Sequence, residues 1–269
     1  MTRNKNRYLT KRNNAQTRRF IFTALFVLLF ALGVTSVFTM VHIGREYRAA
    51  QREYSALREG IVPASNPPSS AFSRPPLISA EATVPPSDIT ESTRELLDIN
   101  PDYIGWIKID ETPIDYPVVQ GKDNGQYIHV TFKGEQNASG TIFMDWKCEG
   151  AFAAPLAVLF GHNMKDGSMF ASLHNYRDNA FLAAHPDISI TTPNGEGLTY
   201  RIFSVQLTTV ADKVFSLFGK NHKEIADFFI EYNAPASATH FLVLSTCTTG
   251  GSDNERLLAF AALENNTAN

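Results

Sequence analysis

From Phe20 to Ile43 the chain runs without an Asp, Glu, Lys or Arg, directly after a basic head in which Arg3, Lys5, Arg7, Lys11, Arg12, Arg18 and Arg19 stand without an acid. At about 1.5 Å per residue a helix of this length crosses a hydrocarbon core of about 30 Å with some tilt. An apolar run with no polar face is a poor surface helix for a soluble domain. It also exceeds the roughly 7–15 apolar residues of a cleaved signal and lacks a small-x-small exit. The expected organisation is a cytoplasmic head at 1–19, an uncleaved transmembrane anchor at 20–43, and everything after it outside the cell membrane, because basic residues stay on the cytoplasmic side.

Beyond the anchor, residues 44–60 mix Arg and Glu with Tyr47, Tyr54 and Leu57 and are expected to form a polar juxtamembrane stalk with a solvated face. Residues 61–87 carry Pro63, Pro67, Pro68, Pro75, Pro76, Pro85 and Pro86 among Ser and Ala, the composition of an extended spacer. The remaining 88–269 is expected to be one extracellular domain. The formal charge of −3 gives no reason to expect a nucleic-acid partner. Two cysteines, Cys148 and Cys247, are too few for a disulfide framework in a large extracellular domain, so an external thiol calls for another explanation.

Within that domain short β-type runs recur at 104–109, 114–119, 140–146 and 155–160, each bounded by Gly, Pro, Asp or Asn. Residues 187–192 and 198–210 flank Pro193-Asn194-Gly195-Glu196-Gly197, a hairpin signal. Helices are expected at 87–98, from a Ser168 cap through Tyr176, around 180–184 and over 220–232. The strands are too closely spaced for repeated βαβ units, so the fold class is mostly β, a closed barrel with peripheral helices. No phosphate-cradling glycine loop or Cys/His metal spacing occurs, and no cofactor is expected.

The chemistry collects at two strand ends. His240-Phe241-Leu242-Val243-Leu244-Ser245-Thr246-Cys247 brings a thiol to the end of an apolar strand. The turn formers Thr248 to Asn254 then predict an antiparallel return through Glu255-Arg256 and the apolar run to Leu263. Arg256 thereby approaches Cys247, where a fixed positive charge favours thiolate and can donate hydrogen bonds to an oxyanion. The partner base is expected from Pro155-Leu156-Ala157-Val158-Leu159-Phe160, a buried strand ending in Gly161-His162-Asn163-Met164-Lys165-Asp166-Gly167-Ser168-Met169-Phe170. His240 lies at the far end of the Cys247 strand, about 23 Å away at roughly 3.3 Å per residue. Arg201 is the fallback for Arg256. Cys148 reads as a small buried hydrophobe.

These segments, together with Asn100-Pro101-Asp102-Tyr103-Ile104-Gly105-Trp106 and Ile114-Asp115-Tyr116-Pro117-Val118-Val119-Gln120-Gly121, resemble a class B sortase from about Asn100 to Leu263. The resemblance implies an eight-stranded sortase barrel and a catalytic set of His162, Cys247 and Arg256. It implies a cysteine transpeptidase that cleaves a C-terminal sorting signal of secreted proteins, holds them as a Cys247 thioester and transfers them to a peptidoglycan amine. Ser245 and Thr246 are the expected substrate-lining groups. Val243 departs from the usual Thr-Leu-x-Thr-Cys pattern, which bears on substrate subsites. Alternatives are a Cys/His peptidase or cell-wall amidase using water, a pilin-polymerising sortase, and a non-catalytic tethered module. The order of His before Cys speaks against a papain-like enzyme.

Overall fold

The structure, a computed structural model, describes residues 2–61, 86–248 and 254–264. The spacer expected at 61–87 therefore lies, from 62 to 85, outside the described residues, as do 249–253 of the turn after Cys247. The chain divides into two compact units, Met1–Arg48 and Ala49–Asn269. The first belongs to helix α1, Thr2–Ile61, which holds a stretch long and apolar enough to cross a membrane. Phe22, Phe26, Phe30 and Phe38 on that stretch are all exposed.

The second unit is a closed barrel in the order β1-β2-β3-β4-β7-β8-β6-β5. Its strands are β1 Tyr103–Lys108, β2 Asp115–Val119, β3 Ile142–Met144, β4 Leu156–Phe160, β5 Asp187–Thr191, β6 Gly197–Thr209, β7 Phe241–Cys247 and β8 Glu255–Leu263. Most neighbours are antiparallel, but β2 pairs β3 and β4 pairs β7 in parallel. β4 and β7 are buried along nearly their whole length, as continuous apolar runs with both faces covered should be. The predicted 187–210 hairpin forms, with Thr191 opposite Gly197.

Helices decorate the barrel. Helix α2 is Pro86–Ile99, α3 is Asn179–Ala184 and α4 is His222–Ile230. Asn221 and Glu224 close a capping box on α4, which stops the helix short of the expected 220 start. Phe229 of α4 stacks on Phe241 at 4.4 Å and meets Phe260 edge-on at 5.2 Å. The connection from β6 to β7 thus covers one face of β7 and β8. Where it reaches the C-terminal end of β7, Phe215 stacks on Phe160 of β4 at 6.0 Å.

Three local expectations are corrected. The strand read at 140–146 shrinks to Ile142–Met144. Ser168 caps no helix: its N–H and hydroxyl both donate to Asp166 Oδ1, and the helix that follows is a 3-10 segment, Ala171–Arg177. The stalk at 44–60 is not a solvated face along its length, because Ala50, Tyr54 and Leu57 are buried in the barrel unit. Tyr54 donates its hydroxyl to the Gly140 carbonyl and sets its ring edge-on to Tyr116, and Arg58 Nε donates to the Asp115 carbonyl at 2.9 Å. Removing a fully packed aromatic costs about 3–5 kcal/mol, so Tyr54→Ala should lower the unfolding free energy of a fragment starting at Ala49 by that amount in urea titration, with Tyr54→Phe losing only the hydroxyl contribution of about 1 kcal/mol.

Candidate active site

The antiparallel return predicted after Cys247 forms in register: Cys247 stands opposite Arg256 across β7 and β8. Directly opposed residues of an antiparallel pair share a face, with Cβ atoms about 4.5–5.5 Å apart. The thiol is exposed and Arg256 half-buried. One guanidinium nitrogen, Nη1, donates to the Glu255 carbonyl at 2.8 Å, which fixes the head of the side chain against its own strand.

His162 arrives through the parallel pairing of β4 with β7, in which Phe160 stands beside Ser245. Two bonds then stitch the strand ends. The Gly161 N–H donates to the Ser245 carbonyl at 3.1 Å, and Thr246 Oγ1 donates to the Gly161 carbonyl at 2.8 Å. Glycine is required at 161 by space alone: a Cβ there would come within 2.5 Å of Ile142 Cδ1 and 2.7 Å of the Phe170 ring. His162 Nε2 lies 2.7 Å from the Ile128 carbonyl, and its ring stacks on His129 at 5.6 Å. Burial, and then the neighbouring His129, push the His162 pKa below the ordinary imidazole value, against the Ile128 bond that raises it. The neutral ring is therefore favoured. A carbonyl can only accept, so Nε2 carries the proton and Nδ1 keeps the lone pair.

His162, Cys247 and Arg256 line one cleft of about 470 Å³, walled by Phe143, Phe160 and Phe218. Ser245 shares Cys247's face by the two-residue period of the strand and lines the same cleft. Ser245 is 1% exposed, and among the described residues its hydroxyl has no hydrogen-bond partner. Thr246 also lines the cleft, but its hydroxyl is committed to Gly161. Among the described residues no three His, Cys, Asp or Glu side chains gather where a metal ion could be held.

The residues set aside from the site lie elsewhere. His240 sits beside His222 at 5.3 Å and lines a different cavity with Phe152 and Leu263. Arg201 Nε pairs with both Asp187 and Glu264 at 2.9 Å on the surface. Cys148 is buried and its thiol is pushed up to about 12 by that burial. Reading the sequence alone overlooks four neighbours: Ile128 and His129 around the His162 ring, and Asn163 and His174, both bonded to the Cys247 carbonyl. Adjacency to His162 is the one signal that could have marked Asn163.

A model of the sortase domain matches residues 107–264. The chain belongs to the sortase family. Its relatives place this sortase in class B. It is 42% identical to the sortase B of Listeria monocytogenes over 125 residues, 45% of this chain and 49% of that protein. The sortase B of Staphylococcus aureus is 30% identical over 173 residues, 61% of this chain and 70% of that protein. The match to the Listeria protein thus spans about half of its length. Among solved structures, a sortase B complexed with triglycine superposes on this sortase with a TM-score of 0.59 at 28% identity, covering 66% of this chain and 88% of that one. The eight-stranded barrel expected from the resemblance is the fold observed.

Proposed function

We propose that this sortase is a cysteine transpeptidase that attaches secreted proteins carrying a C-terminal sorting signal to an amine of peptidoglycan. The observation that carries the reading is the register of Cys247 against Arg256 in a cleft that also holds His162. Cys247 Sγ gives its proton to Nδ1 of the neutral His162 ring and attacks the scissile carbonyl carbon, and the carbonyl oxygen takes up the negative charge, toward which Arg256 donates. The C–N bond then breaks as the imidazolium of His162 gives its Nδ1 proton to the departing amine. The acyl group remains on sulfur as a thioester. An incoming amine attacks that carbonyl and passes its proton to Nδ1 of His162, which returns it to sulfur as the C–S bond breaks, restoring the thiol and the neutral ring.

The Ser245 hydroxyl is proposed to hydrogen-bond the substrate backbone, since Ser245 lines the cleft and its buried hydroxyl has no hydrogen-bond partner among the described residues. Thr246 is proposed to contribute as a lining group through its backbone, its hydroxyl being used to hold the two strand ends together. The apolar stretch of α1 supports a single membrane crossing, and the basic head before it supports a cytoplasmic N-terminus with the catalytic domain, 88–269, outside.

The relative complexed with triglycine supplies a probe for the acceptor side. The Ala49–Asn269 fragment incubated with a library of sorting-motif peptides and triglycine should yield, for the preferred motif, a product in which triglycine has replaced the C-terminal tail. With hydroxylamine the same peptide should give a hydroxamate and a higher turnover, because slow attack by water leaves the thioester for stronger nucleophiles. Cleavage that is fast in water and indifferent to both amines would replace the transpeptidase with a peptidase.

A further inference from the structure

The carbonyl of the nucleophile is held by two side chains. Asn163 Nδ2 donates to the Cys247 carbonyl at 3.1 Å, and His174 Nε2 lies 2.9 Å from the same oxygen. That oxygen has no proton to give, so both nitrogens are donors. The 3.1 Å between Asn163 Nδ2 and His174 Nε2 is the spacing that two donors sharing one acceptor produce.

The arrangement replaces a missing rung. β4 ends at Phe160, and its ladder with β7 closes with the Gly161 N–H on the Ser245 carbonyl. In a parallel pair the next rung would run from the N–H of residue 163 to the carbonyl of Cys247. Asn163 makes it with its side chain. His174 adds a second donor from the 3-10 segment Ala171–Arg177, an element outside both strands. A trans peptide sets C=O and the following N–H in opposite directions, so the grip on the Cys247 carbonyl turns the Thr248 N–H away from the two side chains.

We propose that Asn163 and His174 are positioning residues that fix the backbone of the nucleophile, and with it the direction in which Cys247 Sγ leaves the strand toward His162 and Arg256. The proposal rests on the assignment of Cys247 as nucleophile. Nothing in the pair touches the reacting atoms. The same imidazole that a sequence search treats as one more histidine acts here through a main-chain oxygen. A misplacement of about 1 Å at a reacting group can cost 10²-fold, which is why a grip on the main chain matters for the rate.

The test uses Asn163→Ala, Asn163→Asp, His174→Ala, His174→Gln and the double alanine variant of the Ala49–Asn269 fragment. Each is assayed for kcat and KM on the preferred peptide, for Tm, and for the rate at which iodoacetamide alkylates Cys247. One donor lost should lower kcat by about threefold to tenfold with KM little changed, the weight of one hydrogen bond. Loss of both should lower it by about 30-fold or more and slow alkylation several-fold, because each donor alone still holds the carbonyl. Asn163→Asp should be worse than Asn163→Ala, since it turns an acceptor toward an acceptor. His174→Gln should recover most of the loss. A folded double variant with wild-type kcat and alkylation rate would overturn the proposal, and so would a loss confined to KM, which would make the pair a substrate contact. Alkylation needs no peptide turnover: should the wild type transfer no peptide while the variants still alkylate slowly, the transpeptidase reading fails and the positioning role stands.

Discussion

Cys247→Ala should lower turnover of the preferred peptide by about 10⁴-fold or more, the scale on which enzymes lose their nucleophile, while Cys148→Ala leaves the folded enzyme within about twofold of wild type. The two thiols differ in place, not in kind. Cys247 ends β7 exposed in the cleft, opposite Arg256. Cys148 is 2% exposed, and burial holds its thiol protonated across the physiological range. Peptide cleavage followed by mass spectrometry checks both variants. Comparable losses in the two would withdraw Cys247 as nucleophile.

Arg256→Lys should cost about 10²–10³ in kcat/KM, the effect of one oxyanion donor. Lysine keeps the charge but not the planar fork, so the bond to the Glu255 carbonyl and a donor aimed into the cleft can no longer be made together. Arg201→Lys should stay near wild type, because that side chain is occupied by Asp187 and Glu264 on the surface. A dead Arg201→Lys beside an active Arg256→Lys would reverse the two roles.

The part of the site that local pattern could show was the Cys247 to Arg256 return. An apolar β run, a string of turn formers and a second apolar run carry their own instruction to pair antiparallel, and such short-range pairing places Arg256 opposite the thiol. The arrival of His162 has no such local instruction. It depends on β4 lying parallel to β7, with Gly161 and Thr246 meeting across 85 residues of chain. Two apolar strands far apart in sequence do not announce that they are neighbours. The resemblance supplied that pairing.

The misread stalk teaches a different lesson. Ala50, Tyr54 and Leu57 stand at i, i+4 and i+7, the spacing of one helix face, yet Arg52, Glu53, Arg58 and Glu59 between and after them drew attention to the solvated side. Arg52 and Glu59 occupy the exposed face of the same turns, while Glu53 and Arg58 flank the buried one and bond the barrel unit, at the Lys133 N–H and the Asp115 carbonyl. Asn163 and His174 were illegible for another reason: both act on a backbone carbonyl, and a main-chain acceptor leaves no mark in the sequence of the chain that offers it.

The central claim, an acyl group held on Cys247 and released to an amine, is tested most directly by intact-mass measurement of the Ala49–Asn269 fragment mixed with the preferred peptide in the absence of amine. The account predicts an adduct equal to the peptide's N-terminal portion, located on Cys247 by digestion, that disappears within seconds to minutes of adding triglycine as the triglycine-linked product forms. The same fragment releasing its tail at full rate with no adduct on Cys247, and with no triglycine in the product, would contradict it.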